Sequence, residues 1–144
     1  MSGTSLSWLP WAVLSAAFAA LTAIFAKVGV SEINSDLATL VRTVVVVGLL
    51  LVLVSATGQW QAVEQIPSRT WIFLGLSGLA TGASWLCYFR ALKLGDAARV
   101  APVDKLSVVF VAVLGVLFLG ERLNGTNWLG VALIAAGSLL VALA

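Results

Sequence analysis

Gly95-Asp-Ala-Ala-Arg99-Val-Ala-Pro102-Val-Asp104-Lys105 opens an apolar run that closes on Leu117-Phe-Leu-Gly120-Glu121-Arg122-Leu123, and Trp128-Leu-Gly130-Val-Ala-Leu-Ile134-Ala-Ala-Gly137 follows. Charge and an N-cap residue stand before the run, a glycine and two charges stand after it, and the distance between them suits a helix crossing roughly 30 Å of hydrocarbon at about 1.5 Å per residue. Asp96 is the expected N-cap and Gly120 the expected C-cap, with Pro102, Asp104 and Lys105 in the first two turns. Trp128 then opens another crossing after the turn at Asn124-Gly-Thr-Asn127. The rest of the chain repeats this plan.

Of the 144 residues, 61% are hydrophobic and 10% charged, and the mean hydropathy is +1.10. Soluble domains carry about a quarter charged residues, so the composition excludes that class and selects a membrane protein. Lipid offers the backbone no hydrogen-bond partner, which rules out an open sheet and leaves helices. The expected fold is therefore all-α, one integral membrane domain of five transmembrane helices, with spans near residues 8–26, 37–56, 71–92, 98–119 and 127–144. A net charge of +2, scattered beside the spans, reads as membrane topology and not as a nucleic-acid-binding surface. Cys87 stands alone and His is absent, so neither an intrachain disulfide nor a metal-ligand spacing is expected. Met1 to Leu9 lacks the positive residue of a secretory signal, and the apolar segment after it exceeds a signal core, so the first helix is expected to stay.

Pro10 falls in the opening turn of the first span, and Ser15, Ala19, Thr22 and Ala26 form a small face suited to helix packing. Arg42 stands about two turns, roughly 9 Å, inside the second span, where an unpartnered charge is costly. Asp104 has comparable depth in the fourth span and enters from the same side. A buried pair of Arg42 with Asp104 is expected, with Lys105 sharing it or reaching outward. On the third span Gly75, Gly78 and Gly82 form a small-residue stripe, beside hydroxyls at Ser77, Thr81, Ser84 and Tyr88. Such hydroxyls can bond the carbonyl one turn back. With Trp85 and Phe89 adjacent, they can instead line a cavity for a small amphipathic molecule, and Ser77, Thr81, Ser84, Trp85 and Tyr88 are the candidate binding residues. No nucleophile with a base and no phosphate-cradling loop is present, so neither catalysis nor a cofactor is expected.

Leu117-Phe-Leu-Gly-Glu-Arg-Leu123, Trp128-Leu-Gly130, Leu133-Ile134 with Gly137, and Tyr88-Phe-Arg-Ala-Leu-Lys93 together resemble the end of an EamA domain of the drug/metabolite transporter superfamily. The resemblance implies a transporter of metabolites or amphipathic compounds, in a family commonly built from two five-helix halves of opposite orientation. This chain carries one half, so the resemblance implies a homodimer of five-helix units. It departs from the related small multidrug resistance proteins in having no acidic residue in its first span, which puts proton coupling by that route in doubt. The competing reading is a small non-transporting membrane protein that assembles with or stabilises a partner. Lys27, Arg90, Lys93 and Arg99, with Arg42 and Lys105, stand against Arg69 and Arg122 on the other side, so the N-terminus is expected outside and the C-terminus in the cytoplasm.

Overall fold

The structure, a computed structural model, describes residues 8–144. The uncharged segment Met1–Ser7, on which part of the signal reading rests, lies outside the described residues. Six α-helices follow: α1 (Leu9–Val30), α2 (Ser35–Thr57), α3 (Ser68–Leu94), α4 (Ala97–Asp104), α5 (Ser107–Phe118) and α6 (Gly125–Leu143), with a 3₁₀ turn at Val63–Gln65. No strand occurs among the described residues. Five stretches are long and apolar enough to cross a membrane, because α4 and α5 together make one span, Ala97–Phe118. The chain is a multi-pass, all-α membrane protein.

Side-chain and backbone caps set the helix bounds. Asn34 opens α2 by accepting from the Asp36 N–H at 2.8 Å, and Gly58 closes it with φ 64°, a conformation that suits a residue without Cβ. Asn124 and Asn127 make a reciprocal capping box at the start of α6, at 3.1 and 2.9 Å. Asp96 holds the N-cap position of α4, yet its side chain makes no capping bond; its carbonyl accepts from Arg99 and Val100. Leu119, not Gly120, holds the C-cap position of α5, and Gly120 turns the chain one residue beyond it with φ 68°. There the Glu121 N–H returns to the Gly115 carbonyl at 3.1 Å, and a Cβ built on Gly115 would lie 2.5 Å from Glu121 Oε2. Gly115 thus leaves room for the Glu121 side chain to fold back along the helix.

The fourth span is broken where the sequence suggested one continuous helix. Proline at position 102 has no N–H to donate and its ring crowds the carbonyl one turn back. Just beyond it the chain tightens into i→i−3 bonds: Leu106 to Val103, Val108 to Lys105 and Val109 to Leu106, each at 3.0 Å. The α-helix resumes at Ser107. α1 also runs to Val30, about one turn past the span end expected near residue 26, and α3 spans 27 residues, about 40 Å of axis.

Two compact units divide the chain. In the first, residues 8–25 with Leu94–Ala144, α6 packs against α4 and α5, and Arg99 donates to the Ala142 carbonyl at 2.9 Å, satisfying an end group of α6. In the second, Ala26–Lys93, Val30, Ala38, Phe89 and Leu92 are buried. Lys27 Nζ donates to the Leu92 carbonyl at 2.6 Å and Lys93 Nζ to that of Ile33. The aliphatic residues of α2 and α3 otherwise point outward; Leu79 is 74% exposed, a position suited to lipid and not to water.

Replacing Asn124 by Ala removes the acceptor of the capping box and should destabilise the protein by about 1 kcal/mol. Gly120→Ala places a Cβ at positive φ and should also cost about 1 kcal/mol. Reversible unfolding in mixed micelles checks both; unchanged stability in each would contradict these cap assignments.

Candidate functional site

Charge enters the hydrocarbon at Arg42, the eighth residue of α2. Its guanidinium carbon stands 4.0 Å from the centroid of the Trp85 ring and 5.6 Å from that of Phe89, and the Tyr88 side chain is near enough to act on it electrostatically. The register follows from an antiparallel pair of helices. Arg42 lies about 10 Å from the start of α2, while Phe89 and Trp85 lie about 7 and 13 Å from the end of α3, so Arg42 falls between them in depth. The two helix ends are held in that register by Arg90 on Asp36 at 3.1 Å and by Lys93 on the Ile33 carbonyl.

An arginine that snorkels bends toward the nearer interface. Here the guanidinium lies closer to Trp85, the deeper of the two aromatics. A charge at mid-helix costs roughly 2.5–3.5 kcal/mol on insertion scales, and a desolvated cation–π contact returns about 2 kcal/mol. The rings therefore offset much of the cost while leaving the guanidinium N–H groups, which lie in its plane, without hydrogen-bond partners within this unit among the described residues.

The remaining candidates fall as follows. Trp85 and Tyr88 are half-buried beside Arg42, whereas Ser77, Thr81 and Ser84 are exposed on α3. Thr81 donates to the Ser77 carbonyl at 2.8 Å, the back-bond open to any such hydroxyl in a helix. Nothing within 4 Å would meet a Cβ at Gly75, Gly78 or Gly82, so the glycine stripe lies uncovered. Asp104 and Lys105, in the other unit, pair with each other at 3.3 Å. Sequence reasoning found Arg42 but missed the aromatic face as its partner, although the matched depths of Arg42, Trp85 and Phe89 were available as a signal. A shallow apolar groove on the same unit, lined by Val47, Leu50, Leu51, Val54 and Trp60, escaped it too; Trp60 reaches back over α2 to donate to Ser55 Oγ at 3.3 Å.

A family model described as "EamA-like transporter family" matches residues 6–143. A Sinorhizobium sp protein named "Uncharacterized transporter in cobO 3'region" is 73% identical over 138 residues, covering 96% of this chain and 98% of that relative. A Vibrio cholerae "Uncharacterized transporter" is 30% identical over 92 residues, 62% of this chain and 30% of the relative. A protein of Hamiltonella defensa, "Probable 4-amino-4-deoxy-L-arabinose-phosphoundecaprenol flippase subunit ArnE", is 27% identical over 86 residues, 60% of this chain and 76% of its own. The chain thus spans nearly the whole of the first of these and less than a third of the second. No solved structure matches.

Arg42 and Asp104 belong to different units, and we propose their pairing as an energetic coupling. A double-mutant cycle on Arg42→Ala and Asp104→Ala should show an interaction of about 0.5 kcal/mol or more in unfolding free energy; strictly additive losses would refute it. The cycle with Trp85→Ala, read beside it, should give about 1–2 kcal/mol from the stacked ring.

Proposed function

The chain belongs to the EamA-like transporter family, and from that premise we propose that it moves small metabolites or amphipathic compounds across the membrane as a homodimer of five-helix units. The observation that carries this reading is Arg42, a charge kept two turns inside a span and set against the Trp85 ring. Ionisable groups held at that depth mark substrate paths more often than packing sites. The substrate would meet the face of α3 that carries Ser77, Thr81, Ser84, Trp85 and Tyr88, where hydroxyls give polar contacts and rings an apolar surface.

Dimerisation is supported by the uncovered stripe of Gly75, Gly78 and Gly82, which would admit a neighbouring backbone at close range. The Lys and Arg excess supports an outside N-terminus and a cytoplasmic C-terminus as the majority orientation. We propose that both compact units act together as one membrane domain. A second reading has a specific observation behind it: the Hamiltonella relative is named as a flippase subunit, which favours a chain that serves a partner and does not transport alone.

Purified protein reconstituted alone into sealed vesicles should raise uptake or efflux of at least one compound in a broad metabolite panel above empty vesicles. Silence with the chain alone, turning to flux when a co-purified membrane partner is added, would establish the second reading in its place. For topology and assembly, a C-terminal reporter active only in the cytoplasm should be on, and cysteines placed on the glycine face of α3 in a Cys87→Ala background should crosslink copies in native membranes. A reporter active only outside reverses the orientation, and monomers alone in both crosslinking and mass measurement remove the dimer.

A further inference from the structure

Three aromatic side chains and one guanidinium converge between α2 and α3, and their chemistry selects a class of ligand. The Trp85 ring faces Arg42 at 4.0 Å and that of Phe89 at 5.6 Å, with Tyr88 within electrostatic range. Ring contact satisfies the charge of a guanidinium but not its five N–H donors, which lie in its plane and match the two oxygens of a carboxylate or phosphate. The ion pair of this unit, Arg90 with Asp36, is at the exposed helix ends, where the side chains are 65% and 49% exposed. Arg42 has no carboxylate partner within the unit among the described residues.

We infer that Arg42, backed by Trp85 and Phe89, is the binding site for an oxyanion, a carboxylate or phosphate ester, on a small molecule with an apolar body. The inference rests on the transporter reading and names the charge class of what is moved. The stacked ring excludes water from one side of the guanidinium and holds its plane, so fewer rotamers are lost when the anion arrives. The apolar body of the ligand would lie along the aromatic wall of Trp85 and Phe89. A free anion and an anionic lipid headgroup share this chemistry. The closer contact of the guanidinium with Trp85, one turn further from the end of α3 than Phe89, favours the free anion.

The test is binding to the full chain in phosphatidylcholine nanodiscs, read by thermal stabilisation and by tryptophan fluorescence. Probes are small aromatic and aliphatic carboxylates and phosphate esters, each beside a neutral alcohol and a cationic amine with the same body. Stabilisation confined to anions is expected, weakened roughly 10-fold or more by Arg42→Gln and partly kept by Arg42→Lys. Trp85→Phe, which keeps a ring, should bind within a few-fold of wild type, and Trp85→Ala should not. Should Arg42→Gln fail to fold, anion selectivity in the wild type and the contrast between the two Trp85 variants decide the matter. Amines or alcohols binding as well as anions, no anion binding at 10 mM, or wild-type anion affinity in Arg42→Gln would each overturn the inference. Phosphatidylglycerol nanodiscs that give the same stabilisation with no soluble probe would assign the site to a lipid headgroup and overturn the free-anion form. Vesicle flux of cations only would preserve transport and refute the site; anion binding without flux would preserve the site and refute transport.

Discussion

Hydrocarbon supplies no hydrogen bonds, and the main features of this chain follow from that constraint. Backbone groups within each span are satisfied by helix, and the difficulty concentrates at helix ends, where four carbonyls or four N–H groups lack partners. Asn34 and Asn124 answer it at two N-termini, and Gly58 and Gly120 turn the chain at two C-termini. Lysine and arginine do the same work at carbonyls, Lys27 on Leu92 and Arg99 on Ala142, while Lys93 reaches the Ile33 carbonyl in the loop between α1 and α2. Lys27 and Arg99 serve two ends at once, since a charge of the kind that biases topology also satisfies the last turn of a helix and complements its dipole.

Arg42 is the exception that gives the structure its functional direction. It caps nothing, stands two turns deep, and takes two ring faces where Lys27, Lys93 and Arg99 take carbonyl oxygens. A cation at such a site is stabilised enough to persist, and within its unit, among the described residues, its N–H donors have no hydrogen-bond partner. Asp36 and Arg90, by contrast, sit at the mouth of the α2–α3 pair; their exposed ion pair adds little energy and holds the register that brings Arg42 level with Trp85.

The spans were legible in the sequence because apolar length between charges is a strong signal, and Gly120 announced its own turn. Pro102 was equally visible, but whether a proline bends, breaks or merely opens a helix depends on the bonds that the following residues find, and here they close as a 3₁₀ turn around Lys105. The depths of Arg42, Trp85 and Phe89 could each be counted from the sequence, whereas the pairing of α2 with α3 could not. Charges suggest charges, so Asp104 stood out, while Trp85 enters only once α2 and α3 are aligned antiparallel to within a turn. The hydroxyls of α3 form a stripe in the sequence, and Thr81 shows why a pattern is insufficient: its hydroxyl is already engaged with its own helix at Ser77.

The central claim is that the polar face of α3 borders a path open to water and substrate, not lipid. A thiol reacts through its thiolate, which forms in water and not in hydrocarbon. With Cys87 replaced by Ala, a cysteine at Ser84 should therefore react with a membrane-impermeant thiol reagent added to sealed vesicles, from one side or from each in turn. A cysteine at Leu79, on the outward apolar surface, should remain unmodified. Equal silence at Ser84 from both sides, in vesicles where the protein is folded, would place that face against lipid and contradict the account.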